Sequence, residues 1–228
     1  MPGRTLLIDG DDTLWENNVY FEAAIEAFLD YLSHSSLGRE QVRATLDEIE
    51  RLNSRVHGYG AAAFSRNLTE TYQRLAERRV EQRDLDHLAM LGRRILERDI
   101  EVLAGVEPTL AYLAARHRLL LLTKGDPQEQ RLKVDRSGLA HHFNDVVIVR
   151  EKDASAYRDL LAAYQLSPSD TWMVGNSPRS DINPALSAGL HAVLIPHPHT
   201  WRLEEESIPG TDSRLLVLET FADLRAHF

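Results

Sequence analysis

The sequence predicts an α/β fold, a doubly wound parallel sheet with a four-helix domain inserted after its first strand. Three observations carry that prediction. From about Gly105 to the end, short apolar runs alternate with amphipathic stretches, the pattern of strands and helices joined by short loops. Between about Trp15 and Leu103 only helical spacing is found. Ahead of that helical stretch stands one apolar run, Thr5 to Ile8, stopped at once by Asp9. The inserted stretch is therefore expected to separate strand one from the rest of its own sheet.

The elements follow in order. Thr5 to Ile8 is the first strand. Phe21, Ile25, Phe28, Leu29 and Leu32 then form a helical stripe, with Asn17 or Asn18 as its N-cap. Val42, Leu46, Ile49 and Val56 form a second stripe, bounded by Gly38 and by Gly58-Tyr59-Gly60. Phe64, Leu68, Tyr72 and Leu75 form a third, and Leu85, Leu88, Leu91, Ile95 and Leu96 a fourth. Four such faces can bury one another as a small bundle. Glu107 to Arg116 is the next helix. Arg118 to Thr123 is a strand, nearly all Leu, as suits burial on both faces. Asp126-Pro127 opens a helix, with Asp126 as cap and Pro127 in the first helical position, and Gly138 closes it. Val146 to Val149, Thr171 to Val174 and Ala192 to Ile195 are strands. Ala154 to Gln165 and Ile182 to Ala188 are the helices between them. Leu215 to Leu218 is one more strand before a short terminal helix.

Bulk properties exclude several classes. The 228 residues are 43% apolar, enough for one substantial core and a smaller appended domain. Cysteine is absent, so disulfide scaffolds, thiolate zinc sites and thiol catalysis are excluded. A formal net charge of −9 disfavours nucleic acid as a partner. No apolar run is long enough for a leader or a membrane span, so a soluble, cytoplasmic protein without a membrane partner is expected. Of the 26 basic residues only Lys124, Lys133 and Lys152 are lysines. A lysine is a compact, flexible point charge, so its position can mark where one is required.

In an open α/β sheet, ligands bind at the carboxyl ends of the strands. Asp9-Gly10-Asp11-Asp12-Thr13 follows strand one and Thr123-Lys124-Gly125 strand two. Lys152 lies just past strand three, and Gly175-Asn176 through Asp181 follows strand four. Acids, a hydroxyl, a lysine and an amide thus converge on one edge. Clustered carboxylates repel, and a divalent cation relieves that repulsion. Mg²⁺ accepts two or three protein oxygens and keeps its waters. It also lets an anionic nucleophile approach an anionic phosphate. Lys152 and the Thr123 hydroxyl suit phosphoryl oxygens, aided by amides at the Gly125-Asp126 helix start.

These motifs resemble those of the haloacid dehalogenase (HAD) superfamily, whose members are mostly phosphatases. Its first motif, Asp-x-Asp-x-Thr after a strand, is matched by Asp9, Asp11 and Thr13. Thr123 matches the second and Lys152 the third. The fourth, an acidic loop usually written Gly-Asp-x-x-x-Asp, is matched in part by Gly175-Asn176 and Asp181. The helical insertion resembles the family's C1-type cap. The resemblance implies a Rossmann-like catalytic core over residues 1–14 and 104–228 and a helical cap over residues 15–103.

It further implies a Mg²⁺-dependent phosphatase acting on a small phosphorylated metabolite. Asp9 is the nucleophile, forming an aspartyl-phosphate. Asp11 is the general acid and base. Thr123 and Lys152 bind the phosphoryl group and orient Asp9, while Thr13, Lys124 and Gly125 border the substrate. Asp9, the Asp11 carbonyl, Asn176 and Asp181 hold the metal. Asn176 departs from the usual Asp, and its neutral amide predicts weaker Mg²⁺ affinity. Asp12 reads as a solvated turn residue and Lys133 as a mid-helix surface residue. His197-Pro198-His199 reads as a loop without a ligand role.

A 2-haloacid dehalogenase or a phosphomutase on the same scaffold is the alternative. Asp11 speaks against the first, because dehalogenation needs neither an acid two residues beyond the nucleophile nor a metal. A phosphonatase normally adds a cap lysine, and the inserted stretch has none. A phospho-acceptor module without turnover is a further alternative. Such modules are shorter and lack a helical insertion.

Overall fold

The computed structural model describes residues 3–208, 210 and 212–228. It contains a six-stranded sheet, parallel at every pairing: β1 (Thr5–Ile8), β2 (Arg118–Lys124), β3 (Asp145–Val149), β4 (Thr171–Gly175), β5 (His191–Leu194) and β6 (Leu215–Val217). Their spatial order is β3-β2-β1-β4-β5-β6. The chain winds outward from β1 to β3, crosses back to β4, and winds outward again to β6. The winding reverses between β1 and β4, the position at which open α/β sheets bind ligands, at the carboxyl ends of the strands. Ile8 pairs with Leu121 on one side and Val174 on the other, so Asp9 begins in the middle of that edge.

Successive strand side chains point to opposite faces, and this explains the Leu-rich runs. Leu6, Ile8, Leu119, Leu121 and Val174 pack on one face with Val106, Leu110 and Leu113 of α5 (Val106–Ala114) and Val134 of α6 (Pro127–Ser137). Leu7, Leu120, Leu122 and Met173 pack on the other with Tyr157, Leu160 and Leu161 of α7 (Ala154–Ala163) and Ala185 of α8 (Asn183–Ser187). Each fully buried Leu contributes about 1.5–3 kcal/mol, and a polar residue at any of these positions would face a core. Asp126 caps α6 as expected, accepting from the amides of Gln128 and Glu129 at 2.9 and 3.0 Å. Gly138 ends it at φ 72°, a left-handed conformation that suits glycine.

The chain divides into two compact units. One comprises residues 1–18 and 100–228, the other Val19–Asp99. The second holds α1 (Asn18–Leu32, entered from the first unit), α2 (Arg39–His57), α3 (Ala61–Leu75) and α4 (Gln82–Leu96). Its core joins Ile25, Phe28, Leu46, Phe64, Leu68, Tyr72, Leu88 and Leu91. Val56, expected in the second stripe, is 69% exposed. It stands in the last turn of α2, two residues before Gly58 ends that helix. Trp15, expected at the start of the helical stretch, instead lies in the core of the sheet unit. No helix among the described residues is long and apolar enough to cross a membrane.

Candidate active site

The loop after β1 turns sharply. Leu14 N donates to Gly10 O at 2.8 Å, and Asp12 takes a left-handed backbone, φ 59°. A side chain at Gly10 would run into the Trp15 ring. This turn aims Asp9 and Thr13 at the same space. Thr13 Oγ1 stands 3.1 Å from Asp9 Oδ2 and 3.3 Å from Asn176 Oδ1, its proton available to either.

Lys152 reaches in from beyond β3. Its ammonium donates to Asp9 Oδ1 at 2.5 Å and to Asp181 Oδ1 at 2.8 Å, and the side chain is 2% exposed. Removing a charge from water disfavours ionisation, and attraction to an opposite charge opposes that penalty. For Lys152 burial acts downward, but Asp181 and Asp9 outweigh it and hold the proton firmly. For Asp9 burial wins. Lys152 pulls its carboxyl down, Asp181 pushes it up with burial, and the group is raised to about 7.

The loop after β4 delivers two more side chains. Asn176 Nδ2 donates to Thr200 Oγ1 at 3.2 Å, which turns the amide oxygen toward Thr13. Asp181 sits in a wide turn, Pro178–Ile182, and its Oδ2 accepts the Ser177 amide at 3.0 Å. Gly175 leaves room for that carboxylate, which a Cβ would strike. Asp9, Thr13, Lys152, Asn176 and Asp181 thus form one contiguous cluster. Its metal-capable atoms are all oxygens, two from carboxylates and one from an amide, with the Asp11 carbonyl two residues from Asp9. An all-oxygen set of this kind fits a hard cation such as Mg²⁺.

Asp11 belongs to a second cluster, held by residues that sequence reasoning set aside. Lys133 Nζ lies 2.9 Å from both Asp11 oxygens and 2.7 Å from Asn17 Oδ1. Gln130 Nε2 donates to Asp11 Oδ2 at 2.9 Å, and Trp15 Nε1 to Oδ1 at 2.8 Å. Burial would raise Asp11, but the Lys133 charge and these donors overcome it and keep the carboxyl below its ordinary value. Lys133 is therefore no surface residue. The helical repeat places it one turn after Gln130 on the face turned to the sheet edge. Thr123 Oγ1 donates to Gln130 Oε1 at 2.9 Å rather than to Asp9.

Other expectations change as well. Lys124 is taken up by Glu204 Oε1 at 2.5 Å and Ser180 Oγ at 2.8 Å. The Gly125 amide donates to Val149 O at 3.2 Å, so it stands committed to the backbone. Asp12 is buried, 6% exposed, because its Oδ1 accepts the Asn17 and Asn18 amides at 2.9 and 3.0 Å where α1 begins. Burial raises it to about 7. His197 is enclosed too, with Nε2 3.3 Å from Glu16 Oε2 and Nδ1 3.8 Å from Asp12. Asp12, Glu16 and His197 bring ligand atoms within 4.8 Å of one another, but Asp12 is already engaged as a cap. The three-lysine count was the one signal that could have found Lys133. Each lysine of the chain pairs with an acid at this edge.

A raised folded-state pKa has a stability consequence. Asp9 and Asp12 move from 3.8 to about 7, so the folded chain holds protons that the unfolded chain releases between roughly pH 4 and 7. Stability from these groups is present at low pH and lost as pH rises through that window. These two carboxyls are expected to make the metal-free protein melt at lower temperature at pH 8 than at pH 5, against a smaller opposing contribution from His117, His142 and His197, which burial lowers. A divalent cation held by Asp9 would compete with its proton, so saturating Mg²⁺ should raise the melting temperature by about 5–10 °C at pH 8, and by less at pH 5. Calorimetry with EDTA or Mg²⁺ at both pH values checks this. An equal Mg²⁺ increment at both would contradict it.

A family model described as haloacid dehalogenase-like hydrolase matches residues 4–189. The chain is 40% identical over 94 residues to the phosphoserine phosphatase of Thermus thermophilus, covering 37% of this chain and 38% of that protein. It is 33% identical over 113 residues to the N-acylneuraminate-9-phosphatase of Rattus norvegicus, covering 47% and 43%. The matched stretches thus span less than half the length of these curated relatives. A solved haloacid dehalogenase-like family hydrolase from Xanthomonas campestris superposes with a TM-score of 0.84 at 30% identity, over 99% of this chain and 94% of that one.

Proposed function

The chain belongs to the haloacid dehalogenase-like hydrolases, and from that premise we propose that it is a Mg²⁺-dependent phosphatase of a small phosphorylated metabolite. The sheet unit is its catalytic core and the inserted helical unit its cap. One observation carries the reading: a buried lysine, Lys152, binds Asp9 and Asp181 together while Asp11 stands two residues away on the same loop. A carboxylate nucleophile, a cation to steady phosphoryl oxygens and a second carboxyl for the leaving oxygen are the parts that phosphoryl transfer through a covalent enzyme requires.

Asp9 Oδ attacks phosphorus, and the ester oxygen leaves with a proton from Asp11. Water, deprotonated by Asp11, then releases phosphate from Asp9. Lys152 holds the phosphoryl oxygens and favours the ionised form of Asp9. Thr13 steadies Asp9, and Thr123 acts on the same edge through Gln130. Asp9, the Asp11 carbonyl, Asn176 and Asp181 would hold Mg²⁺, which supplies charge neutralisation at the phosphoryl group.

The relatives' names bring phosphoserine and N-acylneuraminate 9-phosphate to this chain as candidate substrates. Nucleoside monophosphates, sugar phosphates and phosphoglycolate complete a panel. Phosphate release from at least one of them, present with Mg²⁺ and absent with EDTA, is expected. Chloride release from a 2-haloacid without Mg²⁺, with no phosphate released from the panel, would overturn the proposal.

Asn176→Asp tests the departure in the fourth motif. An added negative charge at that oxygen should tighten Mg²⁺ about tenfold, read as the Mg²⁺ concentration for half-maximal rate. An unchanged Mg²⁺ dependence would remove Asn176 from the ligand set.

A further inference from the structure

Asp11 is held by more donors than a bare ion pair requires. Lys133 meets both oxygens at 2.9 Å, Gln130 meets Oδ2 and Trp15 meets Oδ1. An ionised carboxylate offers about four lone-pair positions, and these contacts take one each. The two donors from α6 are themselves anchored. Lys133 also donates to Asn17 Oδ1, and the Gln130 carbonyl oxygen accepts from Thr123. Gln130 is 5% exposed, so its amide has little freedom to turn. The plane and direction of the Asp11 carboxylate are therefore set by one face of α6.

Resting on the phosphatase reading above, we infer that Lys133 is a positioning residue for Asp11. Together with Gln130 it directs the proton that Asp11 delivers to the leaving oxygen. In the first half-reaction the Asp9 oxygen–phosphorus bond forms and the phosphorus–ester oxygen bond breaks. Asp11, ionised at rest, first takes up a proton from water as Lys133 releases one of its oxygens, and that proton passes to the departing oxygen, giving the free alcohol. In the second, the Asp11 carboxylate takes a proton from water, the water oxygen bonds to phosphorus, and the Asp9–phosphorus bond breaks. Asp11 ends protonated again. A protonated carboxyl offers one acceptor position fewer, so a contact must open and close within each cycle. Lys133 is suited to this, because Asn17 keeps its ammonium partnered when one Asp11 oxygen is released.

Proton delivery matters most for a poor leaving group, and that separates positioning from general damage. The probes are p-nitrophenyl phosphate, whose oxygen departs without a proton, and phenyl phosphate, whose oxygen gains from one. With the full chain and Mg²⁺, Lys133→Met should lower kcat/KM for phenyl phosphate about 30-fold, but for p-nitrophenyl phosphate less than about 3-fold. Lys133→Arg should recover most of the difference. The readout is a ratio on one sample, so any unfolded fraction divides out. If the Met variant does not fold, Lys133→Gln takes its place.

Asp11→Asn is the reference, expected to show the same discrimination more strongly. Equal losses on both esters in the Lys133 variants, with discrimination kept in Asp11→Asn, would overturn the Lys133 assignment alone. No discrimination in Asp11→Asn would overturn the acid role of Asp11 and this inference with it.

Discussion

Replacing Asp9 with Asn is expected to lower kcat by about 10⁴-fold or more while leaving the fold in place. The amide is nearly isosteric with the carboxylate but too weak a nucleophile to open a phosphate ester. Its oxygen still accepts from Lys152, and Lys152 keeps Asp181 at 2.8 Å, so no buried charge is orphaned. Two measurements check the result. Steady-state phosphate release from the best ester reads the rate. Mass spectrometry of acid-quenched protein reads the phosphoryl group, expected on Asp9 in the native chain and absent in Asp9→Asn. Retention of more than a tenth of the native rate would refute covalent catalysis by Asp9.

Lys152→Met is expected to have the second largest effect, on stability and rate together. The ammonium lies between Asp9 and Asp181 with almost no exposure. Removing it leaves two buried carboxyls with no cation, a change that costs about 3–5 kcal/mol when both stay ionised. As pH falls Asp9, already raised by burial, takes up a proton, so the deficit in the metal-free protein should be larger at pH 8 than at pH 5. Urea denaturation in EDTA at the two pH values reads this. Mg²⁺ should restore part of the stability by replacing one positive charge with another. It should not restore the rate, expected about 10³-fold down, because the ammonium that steadies the phosphoryl oxygens is gone. A native-like urea midpoint at pH 8 would show that Lys152 does not hold the pair.

Much of the fold was legible because its signals are local. The apolar runs of β2 and β4, the Asp126-Pro127 start and the Gly138 stop each act within a few residues. The expected strands all appear in the structure within a residue or two at their ends. What failed, failed where a residue's fate depended on distant partners. Trp15 reads from the sequence as part of the helical stretch because nothing nearby says that its indole closes on Gly10 and Asp11. Asp12 reads from the sequence as solvated because a short acid in a turn is ordinarily wet, and its partners are the Asn17 and Asn18 amides five and six residues on.

Local pattern alone predicts the sheet, and with it the edge on which Asp9, Thr123, Lys152 and Asn176 emerge. Parallel strands connected with one handedness bring their carboxyl-end loops to the same side, so residue order alone places those groups together. Only the tertiary structure decided which of them touch. It gave Lys152 to Asp9 and Asp181, turned Lys124 to Glu204, and committed Thr123 to Gln130. It also brought Lys133, read from the sequence as solvated, onto Asp11 across 122 residues of chain. Such pairings depend on side-chain reach and burial at the junction of separate elements, where small differences in direction choose the partner.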